Sequence, residues 1–123
     1  GSDHVDRSLA NASDFAMPIQ ELVTEYCWGE VWNRPGLAAR DRSLLNLSML
    51  TALNRDAELR VHVRGALNNG LSVGEIQEAL LQTAIYCGVP AAISSFRIAQ
   101  SVIEDVEAEA DRADPGGPGG EAE

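Results

Sequence analysis

The chain has 123 residues, enough for one hydrophobic core and too few for two independent ones. Apolar residues make up 45% of it and aromatics only 5%, a mixture of Ala, Leu, Val and Ile that suits closely packed helices. The formal charge of -10 works against phosphate backbones and anionic membranes, and no stretch approaches the roughly 20 uninterrupted apolar residues of a membrane span. No basic start followed by an apolar run marks a leader. A soluble, cytoplasmic protein with neither nucleic-acid nor membrane partners is expected, and Gly1-Ser2 has the composition of a cloning remnant.

Residues 1–14 are polar and weakly patterned and are expected to form a flexible arm; His4 lies there. Asp14 is placed to cap a first helix that has Pro18 in its first turn. Ile19, Leu22, Val23, Tyr26, Cys27 and Val31 then recur at helical intervals up to Asn33. Arg34-Pro35-Gly36-Leu37 breaks that helix. From Arg40 to Leu53 the residues Leu44, Leu45, Leu47, Met49, Leu50 and Leu53 are apolar almost all round, the pattern of a helix enclosed by others. So small a chain cannot cover such a helix on every side, which points to a subunit interface.

Asn54 is read as the N-cap of the third helix, which ends at Asn69-Gly70, a pair suited to a left-handed cap. Leu59, Val63 and Ala66 form its apolar side. Ser72-Val73-Gly74-Glu75 has capping-box spacing and starts a fourth helix that buries Ile76, Ala79, Leu80, Thr83, Ala84 and Cys87. Gly88-Val89-Pro90 stops it. A last helix carries Ala92, Phe96, Ala99, Ile103 and Val106. The domain is expected over 15–110, followed by a disordered acidic Gly/Pro tail over 111–123. No run alternates at period two, so the fold class is all-α, with five to six helices.

The nine cations are all arginines, and Arg34, Arg40, Arg42, Arg55, Arg60 and Arg64 cluster in the middle of an acidic chain. Two readings fit: a site for a small anion, since the planar guanidinium matches carboxylates, or ion pairs with neighbouring helices or subunits. Cys27 and Cys87 are too far apart for a Cys-x-x-Cys pair and make a poor metal set; both are read as buried small hydrophobes. On the third helix Arg55, Glu58, His62, Gly65 and Asn69 share one stripe. By itself such a stripe is most often a solvated face.

Three segments change its meaning: Trp28-Gly-Glu-Val-Trp-Asn-Arg-Pro-Gly-Leu37, Arg40-Asp-Arg-Ser-Leu44 and Glu58-Leu-Arg-Val-His-Val-Arg-Gly-Ala-Leu-Asn-Asn-Gly70. With Ile85-Tyr-Cys-Gly-Val-Pro-Ala-Ala92, they make the chain resemble the carboxymuconolactone decarboxylase family, whose fold is shared with the alkylhydroperoxidase AhpD. The resemblance covers roughly residues 20–105. It implies a helical subunit in a homo-trimer or homo-hexamer with active sites near subunit contacts. The peroxidase branch of the family carries Cys-x-x-Cys-x-x-x-His on the third helix. Here the positions read Arg55-Asp-Ala-Glu58-Leu-Arg-Val-His62, so dithiol chemistry is excluded. Ala38 and Cys87 are small departures from the family pattern.

By resemblance the protein is a carboxy-lyase without a cofactor or metal, acting on a small anionic or lactone-type acid. Loss of carbon dioxide leaves an extended enolate, which calls for carboxylate anchors, a charge-stabilising group and a proton donor. His62 is the expected proton donor, with Glu58 as partner and Arg42 completing the catalytic set. Arg34 and Arg55 anchor substrate; Trp32 and Tyr86 shape the pocket. Glu58 as the acid or base itself remains open. So do two other functions on the same fold: a tailoring enzyme of secondary metabolism acting on a larger acid, and a non-catalytic oligomeric binding protein.

Overall fold

The structure, a computed structural model, describes residues 13–113. Two compact units divide the chain, Gly1–Ala38 and Ala39–Glu123. All regular structure among the described residues is helical, and none of these helices is long and apolar enough to cross a membrane.

The first unit holds α1 (Met17–Leu22), which runs without a break into wider π-type turns over Val23–Val31. Pro18 occupies its first turn, as expected. Asp14 does not cap it: Ala16 is the N-cap, with no side-chain cap bond, and Ser13 Oγ accepts from the Ala16 N–H at 3.2 Å in the turn that precedes the helix. The wider winding appears in the Trp32 N–H, which donates to the Cys27 carbonyl five residues back. Gly29 fits this geometry, because a Cβ there would sit 3.2 Å from the Thr24 carbonyl oxygen. Helical periodicity alone does not distinguish such turns from α-helix, since apolar residues three and four apart occur in both.

The second unit consists of α2 (Ala39–Ala52), α3 (Asp56–Asn68), α4 (Val73–Tyr86) and α5 (Val89–Ala113). Helix α2 packs on α3 and α4, and α5 packs on the same two, so the four form a ring with α2 diagonal to α5. Leu47, Leu59, Val63, Ala66, Ile76, Leu80, Ala99 and Val102 fill its centre. The predicted apolar side of α3, Leu59, Val63 and Ala66, is buried as expected. Two buried hydroxyls remain satisfied within this core: Ser95 donates to Thr51 at 2.9 Å, and Thr51 donates to the Leu47 carbonyl at 2.8 Å.

Two sequence expectations change. Asn54 does not begin α3; it ends α2 in the left-handed conformation, φ 57°. The Arg55 N–H donates to the Leu50 carbonyl and the Asn54 N–H to that of Thr51, the two bonds of a Schellman turn. Within one chain α2 is enclosed only in part, in line with the small size of the chain: Ser43, Leu47 and Thr51 are buried, whereas Leu45, Met49 and Leu53 are 52%, 52% and 66% exposed. The second change concerns the cysteines. Both are free, but Cys87 is exposed at the end of α4 and Cys27 is only partly covered. Helix α5 also continues through residues 111–113. The remainder of the predicted tail, and the arm over residues 1–12, lie outside the described residues.

Gly70 ends α3 with φ 100°, and the Leu71 and Gly70 N–H groups donate to the Ala66 and Leu67 carbonyls, a second Schellman turn. Two residues later the capping box is complete: the Glu75 N–H donates to Ser72 Oγ at 3.0 Å and the Ser72 N–H to Glu75 Oε1 at 2.9 Å. Arg40 of α2 also binds the Glu75 carboxylate. The Ser72 amide first, and then Arg40, hold that carboxyl below its ordinary range.

The caps separate experimentally. Ser72→Ala is expected to lower stability by about 1 kcal/mol, and Gly70→Ala by about 1–2 kcal/mol through its backbone alone. A Cβ at Gly70 would meet no neighbour within 4 Å. Denaturant unfolding of each variant measures both.

Candidate active site

Helix α3 is held against α2 by three contacts that fix an antiparallel register. The Arg55 N–H bonds to the Leu50 carbonyl at 2.9 Å, Asn46 Nδ2 lies 3.5 Å from His62 Nδ1, and Asn69 Nδ2 donates to Ser43 Oγ at 2.9 Å. Position 46 is therefore opposite position 62. Asn69, the last member of the predicted polar stripe, is a strut between helices.

His62 is half-buried and faces α2, beside the buried Leu59 and Ala66 on the helix surface. Glu58, one turn earlier on the same stripe, is exposed. Burial pushes the imidazole below its ordinary value near 6.5, and the attraction of the Glu58 carboxylate offsets only part of that. The resting ring is thus neutral at neutral pH, although an adjacent carboxylate alone favours the charged form. Arg55 stands at the N-terminal boundary of α3, exposed and outside any ion pair among the described residues.

Arg42 sits one turn before Asn46 on α2 and is partly buried. In the register just described it falls one turn beyond His62 toward Asn69, while Glu58 falls one turn the other way. The structure thus gathers His62, Glu58 and Arg55 on one stripe and sets Arg42 on the adjoining helix. Tyr86 ends α4 at 81% exposure and makes no hydrogen bond to that stripe among the described residues. Trp32 and Arg34 belong to the first unit. Trp32 stacks on Trp28 with ring centroids 5.5 Å apart and planes inclined by 27°, and the Arg34 N–H donates to the Val31 carbonyl.

The central arginines divide between the two roles read from the sequence. Arg64 makes a bidentate pair with Glu109 at 2.8 and 2.9 Å, Arg40 binds Asp41 and Glu75, and Arg60 donates to Ser101. Arg60 and Arg64 lie about 160° around the helix from His62, and they fasten α3 to α5. Two grooves open elsewhere. One of about 690 Å³ runs along α2 and α4 past Leu45, Ser48, Glu78 and Gln82, and one of about 320 Å³ along α4 and α5 past Gln77, Phe96 and Glu107. Neither contains any of the predicted site residues.

One feature escapes the sequence reading. Asn46 has no motif of its own, and only the α2–α3 register brings it to His62. Gly65 lies on the His62 stripe in mid-helix, where a Cβ would meet no atom within 4 Å. No close approach within the chain requires a glycine there.

Comparison with known proteins follows the same line. Residues 18–101 match the model of the Carboxymuconolactone decarboxylase family. The chain is 46% identical over 106 residues to nitrosuccinic acid decarboxylase npaB of Metarhizium robertsii, covering 86% of this chain and 74% of that protein. It is 42% identical over 106 residues to 4-carboxymuconolactone decarboxylase of Acinetobacter baylyi, covering 86% and 79%.

The lowered basicity of His62 has a definite sign for stability. Above about pH 6.5 the ring is neutral in both folded and unfolded chains. As pH falls below that, the unfolded chain takes up the proton first, so stability declines until the lowered folded value is passed. An NMR titration of the His62 ring is expected to give a midpoint below that of an exposed histidine, and His62→Gln to remove this part of the stability slope.

Proposed function

The chain belongs to the carboxymuconolactone decarboxylase family, and from that premise we propose that it is a cofactor-independent decarboxylase of a small carboxylated lactone or a related acid. The observation that carries this reading is the His62–Glu58 stripe on a helix whose two redox-thiol positions are Arg55 and Glu58. It is supported by 46% and 42% identity to two proteins named as decarboxylases.

The two named substrates share a chemical logic. In a carboxylated lactone the electron pair released with carbon dioxide enters the unsaturated lactone. In nitrosuccinic acid it enters the nitro group. In both, the bond between carbon and carboxylate breaks, the pair is delocalised onto oxygen, and a carbon of the resulting anion takes one proton: the carbon that lost carbon dioxide in the nitro acid, the far end of the conjugated system in the lactone. The net change replaces a carboxylate with hydrogen and consumes that proton.

Arg42 and Arg55 act as cationic anchors for the substrate's carboxylates, with Arg34 a third. Their guanidiniums stay charged through the reaction and bind two oxygens at once. Trp32 and Tyr86 supply apolar walls. His62 delivers the proton. Its neutrality in the free enzyme is compatible with that role, because a bound anion beside the ring favours the imidazolium and draws a proton in with the substrate. Glu58 assists by stabilising that cation. The exposed Leu45, Met49 and Leu53 stripe of α2 supports assembly into a homo-trimer or homo-hexamer.

The higher identity to the nitrosuccinic acid enzyme favours one variant of this reading, a tailoring decarboxylase of secondary metabolism acting on a nitro acid. Incubation with 4-carboxymuconolactone and, separately, with nitrosuccinic acid, followed by carbon dioxide release, distinguishes the two. His62→Gln is expected to lower turnover of the accepted acid by about 10²–10⁴-fold with an unchanged circular dichroism spectrum. Near-native turnover in that variant removes His62 from the mechanism. Release from neither acid favours a non-catalytic binding protein.

A further inference from the structure

We infer that Asn46 is a positioning residue for His62: its side-chain amide, facing Nδ1 from the neighbouring helix, keeps the ring proton on Nε2 and turns that N–H toward the substrate. The inference rests on the reading of His62 as proton donor.

Neutral imidazole carries one N–H, and a hydrogen bond at one nitrogen decides where the proton sits. Asn46 Nδ2 lies 3.5 Å from His62 Nδ1. An amide N–H directed at Nδ1 requires a lone pair there, which leaves the proton on Nε2. The opposite amide orientation sets the Asn46 carbonyl against Nδ1 and requires the proton on Nδ1. Nε2 then has no proton to give. The two orientations therefore differ in an observable tautomer as well as in chemistry.

The surroundings favour control by Asn46. From its own helix the ring feels Glu58, the charged group that acts on it. From α2 it meets uncharged Asn46, with Arg42 one turn further along. Helix α5 packs on another side of α3, where Arg60 and Arg64 are engaged by Ser101 and Glu109. Asn46 is thus the neutral group that acts on Nδ1, and the second N–H of an imidazolium would point at the amide's own hydrogens. Burial separately disfavours the charged ring. The anion that binds must reverse both effects, which ties protonation of the ring to occupancy of the site.

Long-range ¹H–¹⁵N NMR of the full chain tests this directly, with His62→Gln separating the His62 signals from those of His4. The native ring is expected in the Nε2–H form. Asn46→Asp places a carboxylate against Nδ1 and is expected to raise the His62 titration midpoint by about 1–3 pH units. Asn46→Leu is expected to let the Nδ1–H form gain population. With the accepted acid, Asn46→Leu should lower kcat by about 10–100-fold at little changed KM.

An Nδ1–H native ring overturns the inference. So does an Asn46→Leu variant with native tautomer and native pH profile. Should His62→Gln turn over normally, the donor role fails instead, and the tautomer of the native ring still reports whether Asn46 governs it.

Discussion

The left-handed turn at Asn54 is the constraint on which the candidate site depends. It reverses the chain within the few residues between α2 and α3, and its two backbone bonds leave little freedom in how the helices meet. The register that follows sets Asn46 opposite His62 and Ser43 opposite Asn69. The same pairing buries Leu47 with Leu59 and Val63. Backbone geometry at one residue thus determines both the core and the polar line beside it. A change in the length of this connection would carry every residue of α3 to a new partner, and the histidine would be the first to lose its environment.

Charge is sorted by face. On the α5 side of α3, arginines meet carboxylates or hydroxyls and serve as fasteners. On the α2 side stand an imidazole, an exposed carboxylate and an amide. Exposed ion pairs contribute little to stability because water screens them. The Arg64–Glu109 fork therefore adds to an orientation of α3 that its buried Leu59, Val63 and Ala66 already set. The acidic excess of the chain and its wholly arginine cations fit a surface where anion contacts are localised.

Much of this organisation was legible in the residues. Ser72 and Glu75 name a helix start because their side chains satisfy the amides at a helix end, and Gly70 names a stop because few other residues accept its backbone angle. The buried side of α3 followed from periodicity. Asn54 was misread because a short polar side chain suits both a helix start and a left-handed stop, and local sequence does not separate them. Leu45, Met49 and Leu53 are exposed within one chain, in line with its being too small to cover this helix on every side; periodicity records apolar character and does not say what lies alongside. The neutrality of the His62 ring was not legible for a related reason. Glu58 is visible one turn away, whereas the burial that outweighs it arises from a helix folded back from elsewhere. Asn46 was invisible on the same ground, being a neighbour in space only.

The glycine on the His62 stripe has a consequence for how far the helix can be stabilised. A mid-helix glycine weakens its helix by roughly 0.5–1 kcal/mol relative to alanine, and none of the close packing inside the chain compensates for it. That cost falls one turn from the histidine, on the face of the helix turned to α2. Hardening the protein against heat and preserving its open face pull in opposite directions at Gly65.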